Sequence, residues 1–192
     1  MTTNHSAPTP QLRDFVKAID RGRPAVVEVL WIVLSAFFVA SFVPGSRHRV
    51  FLLRLFGASI GAGVVVKPGV KVKFPWRLTI SDHSWIGEGA WIDNLAPVTI
   101  GRNVCLSQGS YLCTGNHDWS SPTFSLRTGS ITLEDGAWVA AKAVVGPGVT
   151  VGRNAVVSLS AVATADIAPG SILMAAAVTS EHIRSVSKET PE

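Results

Sequence analysis

Charge is scarce in this chain. Only 16% of its 192 residues are Asp, Glu, Lys or Arg while 47% are hydrophobic, a balance opposite to that of a disordered polymer. Cysteine is scarcer still. Cys105 and Cys113 cannot form the disulfide framework of a small secreted domain, and they fit a reducing cytoplasm. Cys113 reads as a small wall residue; a nucleophile would need an electropositive setting. The formal charge of +4 and pI of about 9.4 come without a Lys/Arg block or an aromatic RNA-reading motif. Nucleic acid is therefore excluded as a partner, and an anionic cofactor or an anionic membrane surface fits better. Histidine is too thinly spread for a metal. Only His83 and His117 fall within the central repeat, whereas zinc takes three or four ligands.

What the chain has in quantity is a six-residue period over residues 60–163. Aliphatic residues recur at Ile60, Val66 and Val72, at Ile80, Ile86 and Ile92, at Ile100, Leu106 and Leu112, and at Leu133, Val139, Val145, Val151 and Val157. Three residues after many of them stands Gly or Asn (Gly63, Gly69, Gly89, Asn103, Gly109, Gly115, Gly136, Gly148, Asn154), and four after stands a small or β-branched residue. Gly and Asn tolerate positive φ, so each repeat is a short strand and a turn. That is the hexapeptide pattern of a parallel β-helix, three repeats to a triangular coil. A helix would repeat at 3.6 residues and would not tolerate so much glycine. Two extra residues enter before Ile80 and again before Ile100, so each coil bulges at the same corner.

The chain divides into residues 1–57, with a polar tail and helical segments, 58–165, the β-helix, and 166–192, a C-terminal extension that leaves the coil. Within the first part, residues 11–20 carry Leu12, Phe15, Val16 and Ile19 at helical spacing. Residues 25–43 are almost wholly apolar. They are borderline for a span of about 20 residues, and three readings compete: a cap on the open end of the β-helix, a segment in the membrane interface, or a span. Residues 47–56 read as an amphipathic helix with Phe51, Leu52 and Leu55 on one face and Arg47, Arg49 and Arg54 around the other.

The period fails only across residues 113–130. A loop that interrupts a rigid solenoid is where function concentrates, and at its entry stands Asn116-His117-Asp118. Histidine takes and returns a proton near neutrality. His117 is thus the candidate catalytic residue, as general base. Asp118 is the only carboxylate in the loop and, unperturbed, too weak a base; it is expected to orient a ring or backbone group nearby.

The runs RVFLLRLFGASIGAG (residues 49–63), SWIGE (84–88), WIDNLAPVTIG (91–101) and LSQGSYLCTGNHD (106–118) resemble the colanic acid biosynthesis acetyltransferase family, which groups with galactoside, maltose and nodulation O-acetyltransferases. The resemblance covers residues 47–172. It implies a left-handed parallel β-helix, acetyl-CoA as co-substrate, a sugar or lipid-linked saccharide acceptor in exopolysaccharide biosynthesis, and a homotrimer with active sites between subunits. It places the family's catalytic histidine on His117 and its acceptor-side polar pair on Asp93 and Asn94, joined by Asn116. The acyl-CoA side falls on Trp138, Ala140 and Ala141, whose small side chains leave backbone N–H groups open to a thioester oxygen, with Lys142 beside a CoA phosphate. Trp85, Trp91 and Trp138 are expected to be exposed and to serve subunit contacts. One segment departs: the family's usual Gly-Asn-Pro-Ala is replaced by Ala175-Ala176-Ala177-Val178. A catalytically weak trimeric scaffold at a membrane is the alternative that this departure leaves open.

Overall fold

Each aliphatic position of the repeat turns into one continuous core, from Ile60 to Val157. The computed structural model describes residues 12–15 and 19–175. Three parallel sheets form the faces of a triangular prism. The first face stacks Ser59–Ile60, Leu78–Ile80, Val98–Ile100, Ile131–Leu133 and Thr150–Val151. The second runs from Val65–Val66 through Trp85–Ile86, Cys105–Leu106, Trp138–Val139 and Val156–Val157 to Ile172–Leu173. The third holds Lys71–Val72, Trp91–Asp93, Tyr111–Cys113, Val144–Val145 and Val162–Ala163. The strand is only two or three residues long because one residue faces in and the next faces out before the chain must turn. Each inward aliphatic contributes roughly 1.5–3 kcal/mol of burial.

The turns follow from the residue three places after each aliphatic. Gly63, Gly69, Gly89, Asn103, Gly109, Gly136, Gly148 and Asn154 all have positive φ, as do His83, Lys142 and Ser160 at equivalent places. Gly115 does not: it opens a strand instead, and its lack of a side chain serves a close approach. A Cβ there would lie 2.7 Å from Leu95 Cδ1.

The extra residues all fall at the corner between the third and first faces. Phe74, Asn94 and Thr114 stack there, one per coil, all buried. The Asn94 amide donates to Phe74 O at 2.7 Å, and its Oδ1 accepts from Phe74 N at 2.9 Å. Thr114 Oγ1 accepts from Ala96 N and donates to Asp93 O. We expect Asn94→Ala, which leaves the buried Phe74 N–H unpaired and its carbonyl with only the bond from Arg77 N, to cost about 1–3 kcal/mol in urea unfolding. A loss below about 1 kcal/mol would remove this ladder from the account.

Two of the three N-terminal segments differ from expectation. Of residues 11–20, the described part holds a 3-10 turn at Leu12–Asp14, and Asp20 is drawn to Arg77, whose Nη2 donates to Asp20 O at 2.6 Å. Val16 lies outside the described residues. Residues 25–43 become helix α1 (Ala25–Leu34), a π turn at Ser35–Val39 and an irregular return. No described helix is long and apolar enough to cross a membrane. The segment does cap the coil. Parallel coils leave the carbonyls of the first turn without donors, and Trp31 Nε1 donates to Val72 O at 2.9 Å while Arg54 Nη2 reaches Ile60 O at 2.7 Å.

Helix α2 (Arg47–Leu55) turns a different face inward from the one expected. Leu53 and Arg49 are buried, and Phe51 and Leu55 face out. Arg49 is not part of a solvated basic face. Its Nε donates to Val39 O at 2.9 Å, its Nη2 to Ser41 O and Val43 O, each at 2.7 Å, and its Nη1 to Gly45 O. Four carbonyls at a helix end and its return loop thus share one planar cation, which suits the negative end of the helix dipole.

At the other end the coil does not stop at residue 165. Val151 bridges Ile167, and Ile172–Leu173 adds a strand beside Val156–Val157. Asp166 Oδ1 accepts from Thr150 N at 2.7 Å and fixes that last turn. Ala175 N donates to Ser158 Oγ; Ala176, Ala177 and Val178 lie outside the described residues.

Candidate active site

The interruption at residues 113–130 is an antiparallel hairpin rather than an irregular loop. Strand Gly115–His117 pairs with Leu126–Thr128, with His117 opposite Leu126. Its base is tied to the corner stack by Gly129 N donating to Thr114 O at 2.9 Å. The hairpin tip is closed by Asp118, which accepts from Ser120 N at 3.1 Å and Ser120 Oγ at 2.5 Å and pairs with Arg127. The Ser120 hydroxyl and N–H, with Arg127, hold the Asp118 carboxyl below the usual carboxylate range. Asp118 therefore stays ionised near neutrality. It orients backbone, as expected, but does not touch the His117 ring.

The His117 ring is fixed by a residue that the sequence did not single out. Phe124 lies flat on the imidazole, centroids 4.3 Å apart and planes 6° from parallel. Its carbonyl oxygen lies 2.8 Å from His117 Nδ1. A carbonyl only accepts, so in the neutral ring Nδ1 carries the proton and Nε2 presents its lone pair. Phe124 reaches this place with φ of +48°, an uncommon conformation for an aromatic residue, and Phe15 closes the ring edge-on at 5.4 Å. Asn116 is exposed beside it, its Oδ1 accepting from His117 N at 2.7 Å.

Beneath the hairpin, Ile19, Asp20, Arg77, Leu95, Pro97 and Leu126 line a cavity of about 550 Å³. It was not legible from the chain, because one wall is the N-terminal strap, held in place only by tertiary contacts such as Arg77 to Asp20. Of the expected acceptor pair, Asp93 points outward at the edge of the third face. It accepts from Tyr111 OH at 3.3 Å and pairs with Lys73 at 3.1 Å. Burial and the neighbouring Cys113 and Asp93 push the Tyr111 phenol far above its ordinary range, so it remains a neutral donor. Asn94 is fully buried, and its amide is engaged by Phe74.

The residues expected to face acyl-CoA lie elsewhere. Trp138 stands exposed on the second face, its Nε1 donating to Ser107 Oγ at 2.9 Å. Ala140 N is used by Val157 O and Ala141 O accepts from Ser160 N, but Ala141 N–H has no acceptor among the described residues. Lys142 turns the corner with φ of +60° and lays its exposed side chain along Gly109. Trp85 and Trp91 are exposed as expected. Ala141 sits at the corner between the second and third faces, and the His117 hairpin leaves the corner between the third and first. One hexapeptide face, roughly 15–20 Å of extended chain, separates them. His117 and Ala141 therefore do not meet within one chain.

No protein-family model matches the chain. It is 41% identical over 141 residues to the colanic acid biosynthesis acetyltransferase WcaF of Escherichia coli (strain K12), an alignment covering 73% of this chain and 78% of that protein. The chain belongs to the colanic acid biosynthesis acetyltransferase family. The same fold is seen in a hexapeptide-repeat acetyltransferase of Vibrio cholerae solved with acetyl coenzyme A. That structure has a TM-score of 0.71 and 22% identity, covering 77% of this chain and 81% of that one. It recurs in galactoside acetyltransferase solved with coenzyme A, with a TM-score of 0.68, 21% identity, and coverage of 77% of this chain and 76% of that one. These solved acetyltransferases wind left-handed, against the right-handed crossover of ordinary parallel sheets.

Proposed function

We propose that this family member transfers an acetyl group from acetyl-CoA to a hydroxyl of a sugar or lipid-linked saccharide, with His117 as general base. The observation that carries the reading is the 2.8 Å contact from His117 Nδ1 to the Phe124 carbonyl, which leaves Nε2 free to accept a proton. The acceptor oxygen loses its proton to Nε2 as it attacks the thioester carbon. The carbonyl oxygen takes up negative charge, which the Ala141 N–H, without an acceptor among the described residues, is suited to meet. Collapse of the tetrahedral intermediate breaks the carbon–sulfur bond, and the proton on His117 returns to the leaving thiolate. Trp138 supplies an apolar wall for the acyl-CoA arm, and Lys142 a cation for one of its phosphates. The cavity beneath the hairpin, with the Asp20 carboxylate and the exposed Asn116, offers the acceptor its polar contacts.

The separation of His117 from Ala141 implies that a second copy supplies the other half-site. Closed cyclic assemblies bring such unlike patches together, and a homotrimer is the assembly we expect. A sedimentation mass of a single chain at micromolar concentration would contradict it. The free thiols of Cys105 and Cys113 fit a cytoplasmic location. The activity is tested by following thiol release from acetyl-CoA across a panel of free and lipid-linked sugars. Acceptor-dependent release is expected. The absence of acceptor-dependent release, with acetyl-CoA bound, would favour a scaffold role instead.

A further inference from the structure

The outer surface of the N-terminal cap carries an apolar stripe that no described residue covers. Val26, Val29, Leu30, Val33 and Phe37 follow helical spacing and are between 48% and 72% exposed. The opposite side of α1 is already used, with Trp31 buried against Phe56 at 5.1 Å. Leu30 shares a cleft with Leu55 of α2 and with Arg23, so the stripe continues onto the second helix. Single exposed aliphatics need no explanation, but a continuous patch of this length does.

The rim of the patch has one sign. Arg23 lines the same cleft as Leu30 and Leu55 and is exposed, and Arg47 is exposed at the start of α2. The only acidic residue between positions 21 and 57 is Glu28, which is half-buried and paired with Arg21. We propose that this face seats on an anionic lipid bilayer, with α1 lying in the interfacial plane and Arg23 and Arg47 against headgroup phosphates. Ten residues of helix extend about 15 Å, half of a bilayer core, and the chain turns back at Pro44 and Gly45 to lay α2 on the first coil. This geometry suits a segment that rests in the interface. A second copy is the less fitting occupant. A symmetric contact through this face would oppose like-charged arginines, with Glu28 already neutralised.

The inference stands apart from acetyl transfer, and its test reads vesicle binding instead of turnover. The full chain is sedimented with vesicles of phosphatidylcholine alone and with phosphatidylglycerol added, at low and high salt. Binding is expected to favour the anionic vesicles by at least about tenfold and to weaken with salt. The double variant Val29→Gln/Val33→Gln, whose positions are exposed, should lose at least about tenfold in binding with its melting temperature unchanged. Arg47→Glu should abolish the preference for phosphatidylglycerol. Absence of binding to either vesicle, or equal binding by the double variant, would overturn the proposal. So would an altered assembly mass in that variant with its vesicle binding intact, which would assign the stripe to a second copy.

Discussion

Replacing His117 by alanine is expected to lower turnover at least about a hundredfold while acetyl-CoA still binds. A sugar hydroxyl is a poor nucleophile until a base takes its proton in the transition state. No other group on the hairpin can act in that way. Asp118, held low by Ser120 and Arg127, is a weaker base than an ordinary carboxylate. The imidazole acts on the acceptor and contributes little to holding the cofactor, so rate and CoA affinity measured on one preparation should separate. Near-normal turnover would remove His117 from the mechanism. Joint loss of turnover and CoA binding would assign it to shaping the hairpin.

The second large effect is expected at Ala141, where the reactive group is a backbone N–H. Ala141→Pro deletes that donor and little else. Pro68 and Pro147 already occupy the equivalent place in two other hexapeptides, each followed, as Ala141 is, by a residue of positive φ. The turn therefore accepts proline. Loss of one oxyanion donor costs about 10²–10³ in turnover, and the melting temperature should hold, because no hydrogen bond among the described residues is lost. Turnover within about threefold of the parent would show that the thioester oxygen is stabilised elsewhere.

The walls of the fold were legible because they are periodic. Burial of a large aliphatic at every sixth residue, of a smaller residue four places on, and a turn at a fixed offset leave a pattern in the chain that reaches from Ile60 to Val157. The cap was legible only in part. Arg49 looked like a solvated cation because sequence shows charge and not the four carbonyls of a return loop that converge on it. Its burial in turn rotated α2, so Leu53 went in and Phe51 came out. At the site, His117 stood out at the one break in the period. The Phe124 carbonyl that sets its tautomer did not, since every residue carries a carbonyl and only tertiary structure aims one. Asn94 was read as an acceptor contact from its resemblance to the family's polar pair. In the fold its amide spans two coils at a bulged corner, a role that depends on a neighbour twenty residues away.

The central claim is that His117 of one copy and Ala141 of another act on the same thioester. It is tested most directly by co-expressing His117→Ala and Ala141→Pro chains under different tags, isolating assemblies that contain both, and measuring acceptor-dependent thiol release. Each variant alone is nearly inactive, but a mixed assembly contains interfaces that pair an intact His117 with an intact Ala141. In a trimer that contains both chains one site in three pairs the two intact groups, so turnover should recover to about a third of the parental value per site. Turnover no higher in the mixed assembly than in either variant would contradict a site shared between copies.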